Sequence, residues 1–171
     1  IMALWNASID NEKHQRQTLL AALAIRHMMS TVNELWEENN QPRFESRIGL
    51  HSGSALVGNI GNEERLEFTA MGATVNLAAR LESATKYYGA SVLLSEQTVA
   101  RLEGRHRLRE LDLIRVKGQN RPVSIFEALD HLSDARYREL EPLLEHFQEG
   151  LQRYRARDWD GALGHFTRAL D

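Results

Sequence analysis

From Asn11 to about Asn39 the chain repeats apolar residues at helical spacing, with Leu20, Leu23, Ala24, Met28, Val32 and Leu35 in phase. Asn39-Asn40-Gln41-Pro42 stops that pattern. Beyond it, every apolar stretch up to Leu129 is short and bounded by turn residues. Ile1–Ser8 reads as a strand. Arg47–His51 and Ser54–Gly58 read as two strands joined in a hairpin around Ser52-Gly53. Asn59–Asn62 is a turn cluster, and Glu63–Ala73 a loop. A helix follows over Thr74–Tyr88 and ends at Gly89. Ser91–Leu94 is a short strand, with Ser95 as N-cap of a short helix over Glu96–Leu102. Two further strands, Arg107–Lys117 and Val123–Leu129, are separated by Gly118–Pro122. This alternation predicts an α/β or α+β sandwich, with helices packed on one sheet face. After about Ser133 the pattern is helix alone, and His146–Leu170 reads as two short helices around Arg157-Asp158-Trp159-Asp160.

Charge and composition narrow the function classes. The net charge of −3, with both signs interspersed, gives no basic footprint for nucleic acid. The apolar runs fall far short of the roughly 20 residues that span a bilayer. The absence of cysteine removes disulfides and thiolate metal sites and fits a reducing compartment. A cytoplasmic location is expected, with membrane attachment through regions outside these residues left open. Ile1-Met2-Ala3-Leu4-Trp5 begins abruptly and lacks the marks of a signal peptide, so the chain reads as a fragment or as the ordered part of a longer one.

The chemistry concentrates between Phe68 and Leu81. Asn76 and Arg80 are four residues apart, about 40° around a helix, and so share one face. Ser83 extends that polar ridge, and Val75, Leu77, Ala78, Ala79, Leu81 and Ala84 are available for burial. An amide and a guanidinium near a helix start could hold a sugar and a phosphate. By spacing alone, a solvated arginine and an incidental asparagine account for the pair better.

Three ordered motifs change that weighting. Arg47-Ile48-Gly49-Leu50-His51-Ser52-Gly53, then Val57-Gly58-Asn59-Ile60-Gly61, then Thr74-Val75-Asn76-Leu77-Ala78-Ala79-Arg80-Leu81 closely resemble the class III adenylate and guanylate cyclases. The resemblance continues through Val116-Lys117-Gly118 and Pro122-Val123, and covers about Ile1 to Leu129. It implies a ferredoxin-like α+β sandwich over residues 1–130 lacking its first strand or strands, followed by a helical extension over 131–171. It implies an enzyme that converts ATP to cyclic AMP and pyrophosphate. By resemblance Asn76 orients the ribose and Arg80 stabilises the charged phosphorus transition state. Lys117 would contact the nucleotide phosphates, although by itself it reads as a solvated strand-end lysine.

Thr69 falls where the family places one half of its base-selecting pair. Many adenylate cyclases carry Asp there, whereas a subgroup common in bacteria, including bicarbonate-responsive forms, carries Thr. The hydroxyl can accept from adenine but can also donate, so the resemblance favours adenine over guanine without securing it. Ala70 would offer backbone groups to the base edge. The family binds two divalent ions, Mg²⁺ or Mn²⁺, through two aspartates; both would fall upstream of Ile1, so these residues alone are expected to be inactive. The resemblance also implies a head-to-tail homodimer with active sites between subunits. The alternatives are a degenerate nucleotide-sensing or dimerisation module, and a guanylate cyclase.

Other signals carry less. Gly53–Gly58 has P-loop glycine spacing, but Asn59-Ile60 replaces the required Lys and Ser/Thr. The seven histidines show no zinc spacing, and His51 reads as structural. Asp10, Glu12, Glu37 and Glu38 read as solvated helix-end charges. Phe147, Leu151, Tyr154, Trp159, Ala162, Phe166 and Ala169 resemble one tetratricopeptide-type helix pair: either a helical cap or the first repeat of an array, and a surface for a protein partner.

Overall fold

The computed structural model describes residues 1–61, 66–115 and 121–170. The long periodic stretch forms α1 (His14–Glu38), and Asn39 and the left-handed Asn40 end it. Three-residue β1 (Ile48–Leu50) follows, then β2 (Leu56–Gly61) and β3 (Leu66–Met71). Next come α2 (Ala73–Tyr88), β4 (Val92–Ser95) and the single turn α3 (Glu96–Val99). Strands β5 (Leu108–Ile114) and β6 (Val123–Ala128) complete the sheet, and α4 (Asp134–Arg155) and α5 (Trp159–Arg168) close the described chain. The architecture is α+β. None of the described helices is long and apolar enough to cross a membrane.

Four strands make one sheet in the order β1-β4-β6-β5, with β1 parallel to β4 and the other neighbours antiparallel. Strand β4 is apolar from Val92 to Leu94 and buried at every position, as a strand covered on both faces must be. Its side chains alternate between two cores. Leu93 packs with Leu77 and Leu81 of α2 and with Leu111, Val123 and Ile125. Val92 and Leu94 pack with Leu19 and Ala22 of α1, with Leu50 and with Ala128. The expectation of helices on one sheet face is therefore corrected: α2 covers one face and α1 the other.

The face that α1 buries also differs from expectation. Gln15, Leu19, Ala22 and Asn33 are its buried residues, whereas Leu20, Met28 and Leu35 of the expected stripe are exposed. Apolar residues occur around much of this helix, so spacing alone could not choose the face. Both polar ends of the Asn33 amide bond the backbone of Phe44, at 2.9 and 2.8 Å, folding the segment after α1 back along the helix.

Strand pairing overturns four further expectations. Ile1–Ser8 is not a strand, because no described strand lies beside it to hydrogen-bond its backbone. β1 and β2 do not pair with each other; β1 joins β4, and β2 pairs with β3 in a separate two-stranded ribbon from Leu56↔Met71 to Gly61↔Leu66. The turn expected at Asn59–Asn62 is strand as far as Gly61, and the loop expected at Glu63–Ala73 contains β3. The first of the two expected C-terminal helices is the latter half of α4, which begins at Asp134 with Ser133 as its cap.

Two local devices fix the end of β1. Gly49 faces α2 so closely that a Cβ there would collide with the Ala78 carbonyl oxygen and the Glu82 nitrogen. One residue beyond the strand, His51 Nδ1 lies 2.7 Å from Ser95 Oγ, and Ser95 caps α3 by accepting from Thr98 N–H. The Thr98 hydroxyl in turn donates to Ser52 Oγ at 3.1 Å. His51 is structural in this arrangement, as expected. Burial pushes its pKa below the usual 6.5, and burial does the same to His131.

Two outcomes follow for stability. Gly49→Ala should cost about 1–3 kcal/mol, because backbone rather than a flexible side chain must move; an unchanged urea midpoint would contradict the packing. Because both histidines titrate lower in the folded chain, the unfolded chain binds more protons once pH falls below about 6.5. Their contribution is full above that pH and is lost as pH drops toward the depressed folded values. Urea midpoints should thus fall from pH 7.5 to 5.5, and less steeply in His51→Gln; identical slopes would show that His51 contributes nothing.

Candidate functional site

Gly72 joins β3 to α2, and its φ of 136° is backbone that side-chain-bearing residues rarely adopt. That sharp entry lets Thr69 and Ala70 on the strand lead directly into the first turns of α2. Thr69 stands half-buried opposite Gly58, and Ala70 is buried opposite Val57. At the same entry the Thr74 hydroxyl donates to the Ser54 carbonyl at 2.6 Å, tying the β1–β2 connection to the helix start. Gly53 lies against Thr74, where a Cβ would come within 2.8 Å of Oγ1.

Helix α2 buries Leu77, Leu81 and Thr85, one residue per turn along a single seam. The other side of the helix carries the polar ridge. Asn76 is exposed, Arg80 is half-buried, and neither side chain makes a hydrogen bond or ion pair among the described residues. Ser83 is exposed and donates back to the Ala79 carbonyl at 3.1 Å, so its hydroxyl is occupied by its own helix. Ala79, expected among the buried residues, is exposed, while Val75, Ala78 and Ala84 are half-buried. At the far end, Gly89 closes α2 in the left-handed conformation with φ 62°. Tyr88 Oη donates to Asp112 Oδ2 on β5 at 2.7 Å. Burial first, and then that carboxylate, push the Tyr88 pKa up to about 12.

The structure thus brings four of the five expected site residues onto two consecutive elements, Thr69 and Ala70 on β3 and Asn76 and Arg80 on α2. The fifth, Lys117, lies outside the described residues. Among the described residues no three His, Asp or Glu side chains cluster as metal ligands. The described residues therefore supply no ligand cluster of their own for the pair of divalent ions that the resemblance implies. What the site offers is an uncommitted amide and an uncommitted guanidinium on a helix held at both ends. Residue spacing did not reveal the supporting Thr74–Ser54 and Tyr88–Asp112 bonds; the hydroxyls were visible, their distant partners were not.

Comparison with known proteins places this geometry. The family described as "Adenylate and Guanylate cyclase catalytic domain" matches residues 2–128. "Adenylate cyclase 1" of Rhizobium meliloti (strain 1021) is 37% identical over 129 residues, covering 75% of this chain and 19% of that protein. An "Adenylate cyclase" of Anabaena cylindrica is 37% identical over 89 residues, covering 50% of this chain and 18% of that protein. The chain thus spans about a fifth of the length of these relatives. Among solved structures, the adenylyl cyclase CyaB from P. aeruginosa is 30% identical with a TM-score of 0.62, covering 72% of this chain and 62% of that one. The guanylyl cyclase Cya2 is 25% identical with a TM-score of 0.64, covering 71% and 61% respectively. The match over residues 2–128 takes in every motif from β1 through α2 to β6, and the chain belongs to the adenylate and guanylate cyclase catalytic domain family.

Proposed function

We propose that this chain is the nucleotide-orienting part of an adenylate cyclase, converting ATP to 3′,5′-cyclic AMP and pyrophosphate. The observation that carries this reading is the pair Asn76 and Arg80, uncommitted on a rigid helix that starts directly after Thr69 and Ala70. In the reaction the 3′-oxygen forms a bond to the α-phosphorus and the bond to the bridging oxygen of pyrophosphate breaks. The proton of the 3′-hydroxyl leaves to solvent. The Asn76 amide hydrogen-bonds the ribose and aligns the 3′-oxygen with phosphorus, which supplies orientation. The Arg80 guanidinium faces the phosphoryl oxygens as charge develops on them, a preorganised donor needing no reorientation. Thr69 Oγ1 accepts from the adenine amino group, and the Ala70 backbone meets the base edge. Lys117 is assigned to the nucleotide phosphates.

Two divalent ions per site, Mg²⁺ or Mn²⁺, would be held by residues other than the described ones and would supply charge neutralisation of the leaving pyrophosphate. A head-to-tail homodimer completes such a site by placing α2 of one subunit against the remaining residues of the other. Residues 1–130 form the catalytic domain in this reading and residues 131–171 a helical extension, working in the cytoplasm. The extension is held to the sheet by Arg107, directly before β5, which bonds Asp134 at 2.6 Å and lies over the Tyr137 ring, and by Arg155, which bonds Glu110 of β5 at 2.8 Å. A guanylate cyclase is the second reading, favoured by the likeness to Cya2 and by a threonine hydroxyl that can donate as well as accept.

In the active enzyme, Arg80→Ala should lower kcat by about 10²–10³-fold, the usual cost of one transition-state donor, with an unchanged melting temperature. Turnover at the original rate would remove Arg80 from the reaction. Thr69→Val should lower kcat/KM for ATP roughly tenfold through the loss of one hydrogen bond, with little change for GTP. The opposite pattern, GTP losing more than ATP, would favour the guanylate reading.

A further inference from the structure

The seam by which α1 packs inward runs Gln15, Leu19, Ala22 and Asn33, and Arg26 falls in phase between Ala22 and Asn33. An arginine at an inward helix position normally has a carboxylate waiting for it. Arg26 does not. Its Nε is buried without a hydrogen-bond partner, and its guanidinium makes no ion pair among the described residues. Among the described residues Glu127 is the carboxylate that attracts it, and Glu127 is committed to Arg109 at 2.6 Å. Desolvation consequently pulls the Arg26 pKa down.

Arg26 lines a cavity of about 420 Å³ between α1, the segment 43–47 and the C-terminal end of α2. Arg43, Arg47 and Lys86 line it as well, against the single carboxylate of Glu45. Arg43 is paired with Glu37 at 2.9 Å, but Arg47 and Lys86 have no ion pair among the described residues. Three uncompensated cations therefore converge on one concavity in a chain whose net charge is −3. Ser30, Ser46 and Ser91 add hydroxyls to the wall that make no hydrogen bond among the described residues. The Asn33–Phe44 amide pairing and the edge-on contact of Trp36 with Phe44, at 6.4 Å between rings, hold the 43–47 wall in place without that wall's charges.

We propose that this cavity binds a small anion carrying a diphosphate group, with Arg26 at its base and Arg47 and Lys86 at its mouth. A guanidinium fork suits phosphoryl oxygens bidentately, and lysine adds a point charge. The volume is that of a small-molecule site rather than of a single ion. Lys86 lies six residues, about 9 Å, beyond Arg80 on the same helix, so an occupant grips the end of the element that carries the Asn76–Arg80 ridge. Free pyrophosphate and a nucleoside diphosphate share the recognised group.

Calorimetric titration of the chain with pyrophosphate and, separately, with ADP, at constant ionic strength, tests the assignment. Saturable pyrophosphate binding is expected, weakened at least about tenfold by Arg26→Gln, the usual cost of losing a charged hydrogen bond. The Arg47→Gln, Lys86→Gln double variant, altering only exposed side chains, should weaken it similarly. Arg80→Ala should leave it intact, because Arg80 does not line the cavity. ADP binding tighter than pyrophosphate would name the nucleotide as the source of the diphosphate, and pyrophosphate alone the free anion. Without ligand, Arg26→Gln should melt at the same temperature or higher, since it removes an uncompensated charge. Absence of binding, binding insensitive to Arg26→Gln and to the double variant, or binding lost in Arg80→Ala would overturn the proposal. So would an Arg26→Gln chain that is strongly destabilised, which would make Arg26 a structural residue.

Discussion

The contact on which the rest depends is the backbone-to-side contact of β1 with α2 at Gly49. With no Cβ, that residue lets the Ala78 and Glu82 backbone lie directly on the strand. The depth at which α2 sits decides everything the helix carries. Leu77, Leu81 and Thr85 reach the core from that position, and the opposite side is held at the surface with Asn76 and Arg80 on it. A larger residue at Gly49 would lift the helix and move the ridge with it. The ends of α2 are fixed separately, by Gly72 and the Thr74–Ser54 bond at the start and by Tyr88–Asp112 at the finish. A guanidinium that stabilises a transition state must be positioned before the reaction begins, and a helix held at three points provides that.

The electrostatics divide into satisfied and uncommitted charges. Several arginines around β5 and the C-terminal helices are neutralised locally. Arg109 bonds Glu127, Arg107 bonds Asp134, Arg155 bonds Glu110, and Arg153 bonds Asp158. The first of these pairs ties β5 to β6, the next two join α4 to the sheet and the last joins α4 to the cap of α5, while the Phe147–Phe166 contact at 5.7 Å fills the space above Gly150. Arg80 and Arg26 stand apart as half-buried guanidinium groups that make no ion pair among the described residues. Guanidinium groups left without a carboxylate in a chain otherwise rich in ion pairs point to anions that the chain does not itself supply. Arg80 lies on α2 and Arg26 on α1, but the C-terminal end of α2 also lines the cavity around Arg26, which makes α2 the common element.

Much of this was legible in the sequence, for physical reasons that can be named. The extent of α2 followed from its seam and from Gly89, and Ser95 as a cap followed from a hydroxyl directly before a polar helical turn. The ridge followed from the four-residue spacing of Asn76 and Arg80. What stayed hidden depends on distant partners. β2 and β3 pair across a glycine-containing ribbon whose register no local feature states. An apolar run such as Ile1–Leu4 has strand character only beside another strand. The continuous apolar run Val92-Leu93-Leu94 did signal a strand covered on both faces, and reading it so would have placed helices on both sides of the sheet. The cavity around Arg26 was invisible because its walls come from three separate stretches of chain.

The central claim is that the Asn76–Arg80 ridge serves cyclisation of ATP. Its most direct test is cyclic nucleotide formation by the natural full-length polypeptide with Mn²⁺, supplied with ATP and with GTP in parallel. Cyclic AMP from ATP, with pyrophosphate released in equal amount and little product from GTP, is the expected result. A folded dimer that makes no cyclic nucleotide from either substrate would contradict the claim and leave a nucleotide-sensing module in its place.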